Sequence, residues 1–210
     1  GKSTLVKLMN RFYDVSRGSI EINGVDIRKY NLESLRTQIG YVVQKAHMFK
    51  GSIQSNICFG KPEASVEEMV HAATVAQASD FISTREHGYE DEIAEDGTNI
   101  SGGQKQRLSI ARVILKKPSL YIYDDSFSAL DFKTDATLRK ALKPEVKNAI
   151  FFVVAQRIST IMDSDMIIVL DEGQIIGMGT HAQLLKDCSV YQEIAHSQLT
   201  QKELDDYERN

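Results

Sequence analysis

An α/β fold with a mostly parallel sheet flanked by helices is what this chain of 210 residues predicts. Three observations carry that expectation. Short apolar runs of strand length alternate with stretches of helical spacing, the pattern of a parallel sheet wound with helices. One such run, Leu120-Tyr121-Ile122-Tyr123, ends in Asp124-Asp125, and ligands bind at strand ends in open parallel sheets. The chain opens with Gly1-Lys2-Ser3-Thr4, the last four positions of a phosphate-binding loop.

Leu5, Leu8, Met9 and Phe12 recur at helical spacing, so Lys2 and the hydroxyls of Ser3 and Thr4 fall at a helix N-terminus. Ser19 to Ile22 and Val25 to Ile27 are strands joined by an Asn23-Gly24 hairpin turn, a small antiparallel part. Leu32 to Gln38 is a short helix and Ile39 to Val43 an apolar strand. Ser65-Val66-Glu67-Glu68 is a capping box that opens a helix through about Gln77. Gln104 to Leu115 is helical and is stopped by Pro118. Strands follow at Leu120 to Tyr123, Ile150 to Ala155 and Met166 to Leu170, with helix-like stretches between them. Tyr121 and Tyr123 belong to sheet packing rather than to ligand stacking. Thr180 caps a helix containing Leu184 and Leu185, with His181 exposed beside it. The last dozen residues, with Asp205-Asp206, form a solvated acidic helix or tail.

Composition sets outer limits. With 42% hydrophobic and 26% charged residues, the chain can bury a full core as one domain spanning 1–210. A net charge of -4 argues against nucleic acid as a partner, because phosphate backbones demand a basic face. Cys58 and Cys188 lack metal-site spacing and are too few for a disulfide framework, which points to a reducing cytosolic setting. His47, His71, His87 and His196 show no metal-ligand spacing. The longest apolar runs, Ala149 to Ala155 and Met166 to Leu170, are far short of the roughly 20 residues of a membrane-spanning helix. Any membrane part is expected outside this chain. With no initiator methionine and no first half of the phosphate loop, the chain is expected to be a fragment of a longer polypeptide.

The motifs carry one chemistry. Asn99-Ile100-Ser101-Gly102-Gly103-Gln104-Lys105-Gln106-Arg107 enters a helix and offers backbone N–H groups and a hydroxyl to an anion. An apolar strand ending in Asp124 suits Mg²⁺, which is held by one or two carboxylates plus substrate phosphate oxygens. Lys2 is placed to reach terminal phosphates, and the Ser3 hydroxyl to ligate Mg²⁺ with Thr4 in support. Gln44 follows an apolar strand in Tyr41-Val42-Val43-Gln44, and its neutral amide can both donate and accept. Together these point to a nucleoside triphosphate.

In order and spacing the elements resemble the nucleotide-binding domain of ATP-binding cassette (ABC) transporters, most closely the exporter type. The resemblance implies a P-loop NTPase core, with an inserted α-helical signature subdomain over about 46–117 and no transmembrane domain within the chain. It implies ATP bound by Gly1, Lys2, Ser3, Thr4 and Gln44, and Mg²⁺ held by Ser3, Gln44 and Asp124. Gln44 would sense the metal and the attacking water, and Met48-Phe49-Lys50-Gly51-Ser52-Ile53 with Asn56-Ile57 would meet the membrane domain. Glu95 and Gly97 resemble the acidic loop at that same interface. Ser101, Gly102, Gly103 and Gln104 would close over ATP held by a second cassette, and Ser128, Ala129, Leu130 and Asp131 would cross the dimer interface.

Two departures from the family pattern stand out. Asp125 replaces the glutamate that polarises the attacking water, and Gln156 replaces the switch histidine before Arg157. The Asp125 carboxylate falls back by roughly 1.5 Å, one C–C bond. Gln156 can hydrogen-bond a phosphate but cannot become cationic near neutral pH. Both changes strike one site, so the expected role is the degenerate half of a heterodimeric exporter at the cytoplasmic face of a membrane. A homodimeric exporter cassette is an alternative. A soluble ABC-type ATPase of translation or DNA maintenance is another, although the chain has no second cassette or long coiled-coil insertion.

Overall fold

The computed structural model describes residues 1–200, so the expected acidic tail around Asp205-Asp206 lies outside the described residues. In chain order, α1 (Lys2–Met9) is followed by β1 (Glu21–Ile22), β2 (Val25–Asp26), α2 (Leu32–Thr37) and β3 (Ile39–Val42). A helical stretch comes next: β4 (Gly51–Ser52), α3 (Ile53–Cys58), α4 (Val66–Val75), α5 (Ser79–Ser83), β5 (Glu92–Ile93) and α6 (Gly102–Lys116). The chain then runs through β6 (Leu120–Asp124), α7 (Phe132–Glu145), β7 (Ile150–Val154) and α8 (Ile158–Ile161). It closes with β8 (Ile167–Asp171), β9 (Gln174–Gly179), α9 (His181–Asp187) and α10 (Ser189–Gln198).

The centre is a parallel sheet of order β3-β6-β7, with Val42 opposite Tyr123 and Asp124 opposite Val154. Alternation along β6 sends its side chains to two cores. Ile122 joins Val6 of α1, Leu35 of α2, Ile39 and Val154 on one face. Tyr121 and Tyr123 join Val42 and residues of α3, α4, α6 and α7 on the other. Tyr123 is fully buried, with its ring 4.9 Å from Phe151 and 5.5 Å from Phe127, so both tyrosines are packing residues as expected. The small antiparallel pair β1-β2 turns at Asn23 and Gly24, both with positive φ, as the hairpin reading required. Ile27 is not part of β2. The Asp26 carboxylate accepts the Arg28 N–H and opens a 3-10 turn instead.

Helix α6 starts with a reciprocal cap. Ser101 Oγ accepts the Gln104 N–H at 3.2 Å, and Gln104 Oε1 accepts the Ser101 N–H at 2.9 Å. Such caps contribute about 1 kcal/mol. The helix lies so close to β3 that a Cβ on Gly40 would sit 2.5 Å from Val113 Cγ1. It ends in Lys117, in left-handed conformation ahead of Pro118. The Ser65 and Thr180 caps form as expected, each as a capping box. Helix α4 stops at Val75, short of Gln77, which takes a positive φ.

Two further expectations need correction. The strand read at Met166 to Leu170 is not part of the parallel sheet. It is β8, paired antiparallel with β9 across a Glu172-Gly173 turn in which both residues have positive φ. His181 is buried rather than exposed. It is 2% accessible, and its Nδ1 lies 2.7 Å from the Tyr191 hydroxyl, inside a second core built by α8, β8, α9 and α10. Burial pushes its imidazole pKa below the ordinary value. No helix among the described residues is long and apolar enough to cross a membrane.

Candidate nucleotide site

The ends of β3, β6 and β7 converge on two carboxylates. Asp124, the last residue of β6, is buried. Ser3 Oγ donates to its Oδ1 at 3.2 Å and Tyr41 Oη donates to its Oδ2 at 3.3 Å. Burial, aided by the Asp124 charge and this hydrogen bond, pushes the Tyr41 hydroxyl up to about 12. Among the described residues no basic side chain pairs with Asp124. A buried carboxylate without a cation is costly unless it coordinates a metal. The Ser3 hydroxyl and the Asp124 carboxylate are oxygen donors 3.2 Å apart, the donor type that Mg²⁺ takes, so these residues fit that ion.

Asp125 turns the chain after β6. Its φ of 49° lies in the left-handed region, which aspartate tolerates better than most residues. Its N–H donates to Val154 O at 2.9 Å, and its carbonyl accepts Ser128 Oγ at 2.7 Å. Its Oδ2 receives two amides, Gln44 Nε2 at 3.0 Å and Gln156 Nε2 at 2.9 Å. Loops following three parallel strands are thus tied at one oxygen atom. Gln44 therefore meets Asp125, not the Asp124 carboxylate with which the metal set grouped it.

The N-terminus of α1 borders this cluster through Ser3. Gly1, Lys2, Ser3 and Thr4 are all exposed, and Gly1 contributes no side-chain cap. The first N–H groups of the helix are free of intrahelical partners and offer an anion site.

The other motif residues form a separate group. Ser101 and Gly102 are exposed, and Gly103 lies against the loop before α7, where an added Cβ would meet Ala129 O at 3.3 Å. Ser128 and Ala129 are exposed, while Leu130 is buried. Asp131 caps α7 by accepting from Thr134 N–H and Oγ1, which holds its carboxyl below the usual range. Among the described residues no hydrogen bond joins Ser101–Gln104 to Lys2–Thr4, Asp124 or Asp125. The groups are connected through the chain at Ser128, and through Gln106 Nε2, which donates to Val43 O at 3.0 Å.

Downstream of Gln44, the buried Asn56 side chain clamps Phe49. It accepts the Phe49 N–H and donates to the Phe49 carbonyl, both at 2.9 Å. Phe49 and Phe59 are exposed and stack 4.4 Å apart over the Arg112 guanidinium. Desolvation brings the Arg112 pKa down to about 10. The Glu95–Gly97 turn touches the same region: Lys105 Nζ donates to Asp96 O at 2.7 Å, and Gly97 abuts Met48. Tyr41 and Ser126 are site residues that the sequence reading did not single out. Ser126 Oγ donates to Val42 O at 3.0 Å and locks β3 to the turn after β6. No local signal marks either, because each acts across a long sequence separation.

A parallel core that sets a helix N-terminus beside a hydroxyl–carboxylate pair defines a phosphate-loop nucleotide-binding domain. The "ABC transporter" family profile matches residues 1–128, and the chain belongs to that family. A putative multidrug export ATP-binding/permease protein of Bacillus subtilis, YgaD, is 47% identical over 92% of this chain and 33% of its own length. Heavy metal tolerance factor 1 of Caenorhabditis elegans is 42% identical over 96% of this chain and 25% of its own length. A solved bacterial Atm1-family ABC exporter with ATP bound superposes with a TM-score of 0.91 at 38% identity, covering 94% of this chain and 35% of that one. The chain thus spans about a third or less of the length of these relatives. The fold is the ATP-binding domain of an ABC exporter.

Proposed function

We propose that this chain powers export across a membrane, binding ATP at a hydrolytically weak site of its own and completing the site of a second cassette. The carrying observation is the Asp125 carboxylate, held on one oxygen by the neutral amides of Gln44 and Gln156. The free N–H groups of α1 and Lys2 would receive the phosphates, while Ser3 and Asp124 would hold Mg²⁺. Mg²⁺, when bound, would supply positive charge against the triphosphate. Gln44 stays near the attacking water, and Gln156 exchanges its bond to Asp125 for a phosphate oxygen. Asp125 orients the water from a position about 1.5 Å short of where glutamate would place its carboxylate. Gln156 gives hydrogen bonds but no positive charge.

Exposure supports the dimer part of the reading. Ser101, Gly102, Ser128 and Ala129 present free surface for a second cassette arranged head to tail. A heterodimer is favoured because the two departures would leave a homodimer with two weak sites. The transmembrane domain is assigned to the same longer polypeptide, in line with ATP-binding/permease relatives of which this chain covers about a third. It docks on the Phe49–Phe59 region at the cytoplasmic face. The exporter relatives weigh against a soluble ATPase of translation or DNA maintenance. The test is ATP turnover by the purified chain alone and with a cassette carrying glutamate and histidine at the positions of Asp125 and Gln156. Slow turnover alone and restored turnover in the mixture is expected. Brisk hydrolysis by the homodimer overturns the degenerate-site assignment.

A further inference from the structure

The switch glutamine is held from behind by the last residue of α10. Gln198 Nε2 donates to the Gln156 carbonyl at 2.9 Å, and Gln198 Oε1 accepts the Ile158 N–H at 2.8 Å. One side-chain amide thereby bonds residues two apart on the segment after β7, as a peptide group of a neighbouring strand would. A second strap comes from α7. Arg139 Nη1 donates to Ser159 O at 2.8 Å, while its Nε pairs with the buried Asp135 carboxylate at 2.9 Å. Helix α10 is itself anchored through Tyr191 and Ala195, both buried against the core that holds Ile158. The backbone from Gln156 to Ser159 is therefore pinned by side chains, while the Gln156 side chain points to Asp125.

Resting on the reading that Gln156 contacts bound nucleotide, we propose that Gln198 is a positioning residue for Gln156 and couples α10 to the nucleotide site. Gln198 itself touches neither Asp125 nor Ser3 in the hydrogen-bond network of the described residues. Its action is to fix the carbonyl of Gln156 and the next turn, so that the Gln156 amide is presented at the cleft without a search over backbone conformations. Loss of one such hydrogen bond corresponds to about fivefold in an equilibrium or a release rate.

The experiment is a double-mutant cycle on the full-length protein with its second cassette, reading release of a fluorescent Mg-ATP analogue crosslinkable to this chain. The variants are Gln156→Ala, Gln198→Leu and the pair. Gln198→Leu is expected to speed release about fivefold in the parent and less than twofold in the Gln156→Ala background, with the melting temperature kept. Equal effects in both backgrounds would show a merely structural role and overturn the proposal. Gln156→Ala without effect overturns the nucleotide-site reading, and this proposal with it. Gln156→Ala with effect and Gln198→Leu without one overturns the positioning role alone. Gln198→Glu keeps the acceptor for Ile158 N–H and removes the donor to Gln156 O, so it repeats the cycle if the leucine variant does not fold.

Discussion

Asp125→Glu is the perturbation that the site geometry makes most quantitative. Oδ2 of Asp125 sits 3.0 Å from Gln44 Nε2 and 2.9 Å from Gln156 Nε2. One added methylene advances the carboxylate by roughly 1.5 Å. Advanced by that length, the carboxylate leaves the position at which both amides meet it, beside Phe127, Ser128, Ala155, Gln156 and Thr160. A displacement of about 1 Å in catalytic geometry is worth on the order of 100-fold in rate. Single-turnover hydrolysis at this site is therefore expected to rise by about 10- to 100-fold, and further with Gln156→His. Glutamate is also less at ease than aspartate at φ 49°, so a stability loss of about 1 kcal/mol accompanies the gain. The assay follows release of labelled phosphate in an assembly whose second site has been inactivated. Unchanged turnover with nucleotide demonstrably bound would refute the view that carboxylate reach limits this site.

Three further perturbations test the framework around it. Asn56→Ala strips partners from Phe49 N–H, Phe49 C=O and Ser52 C=O, and is expected to cost about 2–4 kcal/mol by denaturant titration with faster amide exchange from 48 to 53. A loss below about 0.5 kcal/mol would contradict the clamp. Gly40→Ala places a Cβ 2.5 Å from Val113 Cγ1 and 2.6 Å from Pro118 Cγ, so about 1–3 kcal/mol is lost by overpacking, and Val113→Ala in the same chain recovers part of it. His181 is held neutral by burial, its pKa lowered from 6.5 in the folded chain. The unfolded state then binds the proton more readily, so this contribution is complete above pH 6.5 and is lost as pH falls through the lowered folded value. Urea midpoints should decline below pH 6.5 and do so less in His181→Gln; identical profiles would contradict the burial effect.

What was legible in the sequence is what is local. The caps at Ser65 and Thr180 act within three residues, and Asn23-Gly24 sets its own turn. Motif order grouped Ser3 with Asp124 and put Asp125 and Gln156 at one site, but it set Gln44 with Asp124, and no periodicity says that one Asp125 oxygen receives both amides. The antiparallel placement of β8 escaped because strand pairing is a non-local property, and the Glu172-Gly173 turn is a weaker hairpin signal than Asn-Gly. Helices α3 and α5 have six and five residues, too short to stand without packing on α4 and α6. Burial of His181 depends on Tyr191 from the next helix. Tyr41 meets Asp124 across 83 residues, and Gln198 meets Gln156 across 42, so neither bond leaves a trace in local pattern.

In the proposed role this chain keeps its own ATP while its mate hydrolyses. The direct measurement is photo-crosslinking of azido-ATP carrying a γ-phosphate label to each cassette during steady turnover of the assembled exporter. The account predicts label retained on this chain over many cycles and lost from the other within one. Equal loss of γ-label from both chains would contradict it.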